Sequence, residues 1–212
     1  MPSPVGHAIG GLAVAWAADL VPGVRGWRTA APTASFARRS GGALTLVCAG
    51  LGVLPDADLF LTTHRTVTHS VVAAFVVTIV AAAVTGWVTR ERGAAAASPA
   101  VRRGPLVVRI ALMCGAAYAT HLLLDWLAVD RTPPAGIQLL WPFSPHWFIS
   151  GLDIFPQTER RQFLSLPSMR TNLVSLVWES ATLLPVLGLL WLIRIKALAR
   201  LAAELSRSDH SA

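Results

Sequence analysis

The sequence predicts an all-α membrane protein, a polytopic helical bundle of about five spans. Hydrophobic residues make up 54% of the 212 residues and charged residues only 14%. The mean hydropathy is +0.56, and this balance of residues departs from the average of soluble proteins. Several apolar runs reach the roughly 20 residues that a helix needs to cross about 30 Å of hydrocarbon. Because lipid tolerates only helices or closed barrels, and these runs are too long for short strands, we expect helices.

The expected spans follow one another within a single membrane-embedded domain over residues 1–212. Four of them are long enough to cross the bilayer and cover residues 42–61, 71–89, 105–127 and 173–195. A fifth, over residues 8–23, is shorter and contains Asp19. Pro55 disfavours helical conformation at Leu54, so we expect the second helix to end there and its acids to point inward. The tail over residues 196–212 begins as a helix and leaves the membrane.

Two features of the apolar runs bear on the class of protein. Cys48 and Cys114 both lie within such runs, so we expect small buried hydrophobic side chains rather than a disulfide. The N-terminal segment is apolar but lacks the basic region that opens a signal peptide. We therefore expect this segment to be retained.

The net charge of +7 is almost entirely arginine. The arginines stand in short groups beside the apolar runs, which is typical of membrane-flanking charge and argues against a nucleic-acid partner. With five spans, segments 24–41 and 90–104 and the tail lie on one side of the membrane, whereas 62–70 and 128–172 lie on the other. The first side carries most of the basic residues, so the positive-inside bias predicts that the C-terminus is cytoplasmic.

Histidines and acids gather at the span ends opposite the arginine-rich side. They are His7, Asp56, Asp58, His64, His69, His121 and Asp125. His121 and Asp125 are four residues apart, which places both side chains on one helical face about 5–6 Å apart, where they can share a cation. Imidazole and carboxylate are ligands of zinc, manganese or iron. Because ionisable groups are expensive at membrane depth, we interpret the set as an open divalent-metal site that keeps a water.

Five motifs occur in an order and spacing that resemble the YdjM-type family of LexA-regulated, membrane-bound metal-dependent hydrolases. They are GHAIGG, LPDADLF, HRTVTHS, THLLLDWL and TPPAGIQLLWPFS, which together cover most of residues 1–150. Thr66 stands where the family usually has glycine, a change that affects the turn but removes no ligand. The resemblance implies a multi-pass protein of the bacterial inner membrane. The charge bias then places the metal site on the non-cytoplasmic side.

More distantly, the ligand pattern is similar to that of zinc-dependent phospholipase C, an all-helical metallohydrolase. This similarity implies that one or two zinc ions are bound by five residues, namely His7, Asp56, His69, His121 and Asp125. It also makes Asp125 the implied bridge between two metals. The later histidines and the glutamate of a third zinc site have no match in the sequence, so the similarity implies at most two ions.

The resemblance implies metal-assisted hydrolysis of a phosphoester in a phospholipid or a lipid-linked phosphate, with the lipid bilayer as the surrounding partner. Asp58 or His64 is the expected general base or acid, and Arg65 is the expected ligand of a phosphate oxygen. The apolar and aromatic loop over residues 128–172 is expected either to cover the site at the membrane surface or to pack as a re-entrant segment.

Two other functions fit parts of the sequence. Asp19, Asp125 and Glu179 lie within spans and would suit an ion or proton-coupled transporter. Alternatively, a metal could only hold helices together, without catalysis. Hydrolysis is favoured over transport because the histidines and acids gather at one end of the bundle, whereas transporter sites usually lie near the midplane between repeats.

A reporter fused after residue 212 tests the predicted orientation. Because the basic segments are expected to stay inside, a fluorescent protein that matures only in the cytoplasm should be bright at this position. A phosphatase that is active only outside the cytoplasm should be inactive there. The opposite pattern would place the C-terminus outside the cytoplasm and would contradict the predicted orientation.

Overall fold

The computed structural model describes residues 1–21, 34–60, 64–95, 103–159, 162 and 164–209. This part of the chain is helical without a β-strand, which confirms the predicted all-α class; its strand-like pairings are two isolated β-bridges. Much of segment 24–41, part of connector 90–104, two residues of link 62–70 and the last three residues of the tail lie outside the described residues.

The described chain forms six α-helices in order. They are α1 (Pro4–Ala18), α2 (Phe36–Ser40), α3 (Ala43–Val53), α4 (Val71–Ala95), α5 (Arg103–Leu127) and α6 (Leu166–Asp209). Three helices are long and apolar enough to cross a membrane, over Val71–Glu91, Gly104–Leu127 and Leu166–Arg200. The other two predicted spans correspond to α1 and α3, which have 15 and 11 residues, so each is shorter than the roughly 20 residues of a simple crossing.

The predicted span over residues 42–61 is α-helical only in its first part. α3 ends at Val53, and 3-10 turns continue over Leu54–Phe60. The α-helix therefore ends where Pro55 predicts. Leu54 nevertheless keeps right-handed helical angles, with φ −55° and ψ −38°, because the tighter turns that follow are also helical. Asp56 and Asp58 are both buried in these turns, so the acids point inward as expected.

α1 and α6 both begin several residues before the predicted spans because their first turns are capped. The Ser3 hydroxyl accepts a hydrogen bond from the Gly6 N–H, and Pro4 occupies the first helical position. At α6, the Ser165 hydroxyl accepts a hydrogen bond from the Ser168 N–H at 3.4 Å. The predicted loop over residues 128–172 therefore ends at residue 165, and α6 runs for 44 residues.

α1, α3 and α5 form the centre of the bundle, and two glycines allow α1 and α3 to approach. A Cβ atom on Gly11 would overlap the carbonyl oxygen of Cys48, and one on Gly52 would overlap the carbonyl oxygen of His7. Small residues commonly allow this kind of backbone approach between membrane helices. The carboxyl end of α3 is thereby held against the first turn of α1. Cys48 and Cys114 are both buried thiols that form no disulfide, as the sequence predicts.

A buried ion pair joins α1 to α6 at the other end of the bundle. The Arg194 Nε donates a hydrogen bond to Asp19 at 2.7 Å, and the same guanidinium also donates to the Arg39 carbonyl. It lies 5.9 Å from the ring centre of Trp16 and 5.8 Å from that of Trp191, within the range of cation–π attraction. Asp19 thus has a structural partner that its place in the sequence does not reveal.

The loop between α5 and α6 covers the end of the bundle that carries the histidines and acids. Ile137 is buried and pairs with Phe148 across an antiparallel bridge. The Gln138 N–H donates a hydrogen bond to the Arg65 carbonyl at 3.0 Å. A main-chain hydrogen bond therefore fixes the loop to the link between α3 and α4.

Substitution of the two glycines near the end of α3 tests the close helix contact. Gly52→Ala should lower the thermal stability of the detergent-purified protein, because its Cβ would overlap the α1 backbone, at a cost of about 1–3 kcal/mol. Gly50→Ala is the matched control, since a Cβ at this position meets nothing within 4 Å. Equal melting temperatures for the two variants would contradict the packing of α1 against α3.

Candidate metal centre

His7 lies in the first turn of α1 and is fully buried. The backbone N–H of His7 donates a hydrogen bond to the carbonyl of Ser3. Ser3 is held in turn by Glu179 of α6, whose carboxylate accepts hydrogen bonds from both the N–H and the hydroxyl of Ser3. The imidazole stacks on that of His121, with ring centres 3.7 Å apart. The position of His7 is therefore fixed by α6 as well as by α5.

His121 and Asp125 lie on one face of α5, one helical turn apart, as their spacing predicts. The His121 Nδ1 lies 2.8 Å from the carbonyl oxygen of Gly52. Because a carbonyl can only accept, this ring nitrogen must carry the proton, which leaves Nε2 of the neutral imidazole with a free lone pair. The α3 terminus thus orients His121 while it also contacts α1.

Three donor atoms converge beside the end of α5. The Nε2 atoms of His69 and His121 are 3.1 Å apart, and they lie 3.4 and 3.2 Å from Oδ2 of Asp125. Ligands of a tetrahedral zinc ion with bonds of about 2.0–2.1 Å are roughly 3.3–3.4 Å apart. These separations therefore match the donor spacing that a small divalent cation requires.

Two further donors face this set. Oδ1 of Asp56 lies 3.8 Å from the His69 Nε2 and 3.7 Å from the His121 Nε2. These distances are slightly longer than those among the three converging donor atoms. The His7 Nε2 lies 3.3 Å from Oδ1 of Asp125. Asp125 therefore presents one oxygen to His69 and His121 and the other to His7.

The burial of this cluster supports a cation. Each of the five side chains is at most 5% exposed. Within the described part of the chain, both ring nitrogens of His7 and both carboxylate oxygens of Asp125 lack a hydrogen bond of good geometry. Buried polar atoms without hydrogen bonds are costly, and a metal ion would satisfy them. The residues present therefore fit a divalent metal bound through nitrogen and oxygen.

Asp58 contacts His64 and His69 through their Nδ1 atoms. Its Oδ1 lies 2.5 Å from Nδ1 of His64, and its Oδ2 lies 3.2 Å from Nδ1 of His69. The Thr68 hydroxyl and the Arg65 N–H also donate to Oδ2. Burial alone would raise the pKa of Asp58, but the hydrogen bonds from His64, His69 and Thr68 outweigh it and hold the pKa below its usual range. An ionised Asp58 therefore orients two imidazoles through their Nδ1 atoms.

The electrostatic potential of the cluster favours a positive charge. Burial lowers the pKa of His69, but hydrogen bonds to Asp125, Asp56 and Asp58 outweigh burial and raise it to about 10. The three carboxylates thus attract a cation to the Nε2 atom of His69, either a proton or a metal. Because both would use the same lone pair, metal binding releases that proton.

Arg65 occupies a tight turn between the cluster and the loop. Its backbone has a φ of 67°, a conformation that residues other than glycine rarely adopt. Its guanidinium forms an ion pair with Asp130 and a hydrogen bond to the carbonyl of Thr132. The left-handed residue of this turn is Arg65 rather than Thr66, so the turn does not require glycine at position 66.

A polar cavity of about 310 Å³ lies beside the cluster, and its lining includes His64, Arg65, Thr132, Gln157 and Glu159. The side chain of His64 is 23% exposed, whereas the ligand candidates are sealed. The ring centre of His64 lies 5.2 Å from that of His69. His64 therefore stands between the cavity and the buried donors.

The structure brings together all the residues that the sequence singles out as ligands or catalytic candidates. His146, in the loop, is exposed. Sequence reasoning singles out Glu179 as an acid within a span, for which interhelical hydrogen bonding is one interpretation, and the structure shows such bonds with Ser3. It misses the supporting residues Asp130 and Thr68. Thr68 is adjacent to His69, and its hydroxyl is a signal that could have been noticed. Asp130 is far from its partner in sequence, so no local pattern identifies it.

Comparison with known proteins gives one match. No curated protein and no solved structure matches the chain. A family model described as YdjM inner membrane protein matches residues 1–201, which include every residue of the candidate metal centre. The chain therefore belongs to the YdjM inner membrane protein family.

Proposed function

We propose that this protein is a membrane-embedded, metal-dependent hydrolase that cleaves a phosphoester of an amphiphilic or lipid-linked substrate. The observation that carries the proposal is the convergence of the His69, His121 and Asp125 donor atoms at spacings of 3.1–3.4 Å. Asp56 and His7 complete the proposed ligand set. Zinc is the ion that fits this nitrogen and oxygen set at tetrahedral spacing.

A divalent cation held by these residues would lower the pKa of a bound water and neutralise charge on a phosphoryl group. One ion would be held by Asp56, His69, His121 and Asp125. A second would be held by His7 and Asp125, where fewer protein donors would leave room for water. Asp125 is the proposed bridge because its two oxygens face different histidines.

His64 is the proposed general base and acid. Its Nδ1 is held by Asp58, so proton exchange would use its Nε2 atom. As the water oxygen bonds to phosphorus, His64 accepts the water proton, and it then donates that proton to the leaving oxygen as the phosphorus–oxygen ester bond breaks. Asp58 has both oxygens occupied by hydrogen bonds, so we assign it an orienting role for His64 and His69.

Arg65 is the proposed phosphate ligand. Its guanidinium lines the polar cavity next to His64. Arginine has five N–H donors, and the contacts with Asp130 and Thr132 leave others for a phosphate oxygen. The ion pair with Asp130 would hold the guanidinium in place before the substrate enters.

A second candidate function follows from the burial of the ligands. Because each of the five is at most 5% exposed, a metal could serve only to hold α1, α3 and α5 together. Cobalt-substituted protein distinguishes the two functions. Hydrolysis predicts that added phosphate changes the visible absorption of cobalt, since an open coordination position takes phosphate in place of water. An unchanged spectrum supports the purely structural role.

Ligand substitution tests metal binding and catalysis together. His121→Ala and Asp125→Ala should each lose tightly bound metal and phosphoesterase activity, because each removes a donor from the converging set. The loss of affinity should exceed the roughly 10–100-fold that outer-shell changes cause. His146→Ala is the control, since this histidine is exposed on the loop. Metal content should be measured by elemental analysis on protein that still inserts into membranes. Equal metal content in all three variants would contradict the proposed ligand set.

Substitution of Asp58 tests its orienting role. Asp58→Asn should weaken metal affinity by about 10–100-fold without abolishing binding, because the imidazoles of His64 and His69 lose their ionised acceptor. The control is Asp153→Asn, which changes an exposed aspartate in the loop. Competition with a chelator gives the affinity. Complete loss of metal would instead indicate that Asp58 is a direct ligand.

A further inference from the structure

An apolar groove of about 410 Å³ lies beside the candidate metal centre, and its lining includes Asp58. Its lining includes Leu54, Val67, Val72, Val76, Tyr118 and Trp141. These residues come from the 3-10 turns, the link, α4, α5 and the long loop. The groove is therefore a product of the tertiary fold rather than a feature of one helix surface.

The mouth of the groove faces the surface that would contact lipid. Val72 and Val76 belong to the first two turns of the candidate span Val71–Glu91, and residues 72–77 cover roughly 8 Å along a helix axis. Val76 is 52% exposed, and Leu54 and Val67 are also exposed. Because the exposed side chain of Val76 lies near the start of a candidate membrane span, an occupant that enters beside it would come from the lipid near the end of that span.

The lining of the groove also includes two polar residues that contact the catalytic candidates. Asp58 and Thr68 both line it, and the Thr68 hydroxyl donates to Asp58 at 2.5 Å. On its other oxygen, Asp58 holds His64, which lines the polar cavity together with Arg65. The groove and the polar cavity thus meet at one hydrogen-bonded pair, because Asp58 lines the groove and His64 lines the cavity beside Arg65.

This arrangement matches the two halves of a phospholipid. A hydrocarbon chain is stabilised by burial against apolar side chains, and a phosphate is stabilised by a guanidinium and by imidazole N–H donors. We propose that the groove binds one hydrocarbon chain of a bilayer phospholipid and thereby delivers the phosphoester of that lipid to the His64 side of the metal centre. The inference rests on the proposed function for the fate of the headgroup, but chain binding in the groove is independent of hydrolysis.

Photo-crosslinking tests chain binding directly. The probe is phosphatidylglycerol with a diazirine near the end of one acyl chain, and the full-length protein is reconstituted with it in vesicles. Mass spectrometry should find the label on groove residues such as Val72 and Tyr118. Val76→Trp should lower that labelling by roughly tenfold, which corresponds to the exclusion of about two methylene groups.

The matched control is Val84→Trp, which introduces the same side chain on the same helix. Val84 and Val76 are both 52% exposed, but Val84 does not line the groove. Labelling of the groove residues should be unchanged in this variant. Uniform labelling along α4 that responds equally to both substitutions would overturn the proposal, because it would describe ordinary lipid around a membrane helix. A dimer of the chain that Val76→Trp disrupts would also overturn it, since a second copy would then occupy the groove.

An activity measurement separates this inference from the proposed function. Wild-type protein should hydrolyse the long-chain lipid with a higher kcat/KM than a soluble phosphodiester without a chain, and Val76→Trp should remove that preference while metal content stays unchanged. Equal kcat/KM for both substrates in the wild type would overturn the inference. Groove-specific labelling without any hydrolysis would contradict the proposed function and leave the groove assignment in place.

Discussion

The burial of three aspartates and three histidines at one end of an apolar bundle is the constraint on which the rest of the structure depends. Carboxylates removed from water are strongly destabilising unless they are paired or bound to a metal. Asp58 is satisfied by hydrogen bonds from its neighbours, whereas Asp125 lacks a hydrogen bond of good geometry among the described residues. A cation at Asp125 would resolve this imbalance, so a metal would contribute to stability as well as to any reaction.

The surrounding fold holds the donors where one cation can reach them. Gly52 both permits the close contact with α1 and accepts a hydrogen bond from His121. Glu179 fixes the start of α1 through Ser3. At the opposite end, Arg194 and Asp19 join α6 to α1. The same long helix therefore secures α1 at both ends, and α1 carries His7 at one of them.

Much of this arrangement could be predicted from the sequence because it depends on local rules. The length of the apolar runs predicts the helices, Pro55 predicts the end of α3, and the four-residue spacing predicts that His121 and Asp125 share a face. The clustering of acids and histidines is also predicted, because successive spans run in opposite directions and bring these span ends to the same end of the bundle. Hydropathy does not predict the starts of α1 and α6, because the caps at Ser3 and Ser165 begin both helices before their apolar segments.

The remaining features depend on contacts between residues that are distant in sequence. The pairing of Asp19 with Arg194 and of Arg65 with Asp130 requires the packed bundle, and no periodic pattern contains it. The role of Asp58 is similar. An aspartate two residues from Asp56 looks like another ligand or base, and only the side-chain directions in the 3-10 turns place it behind His64 and His69. The polar cavity and the apolar groove likewise form only when the link, the loop and α4 meet.

X-ray absorption spectroscopy of the protein, purified with its native metal, tests the central claim most directly. The account predicts one or two divalent ions per chain in a shell of nitrogen and oxygen at about 2.0–2.2 Å, with imidazole scattering and no sulfur. The absence of a stoichiometric metal after gentle extraction would contradict the account, as would a sulfur ligand from Cys48 or Cys114.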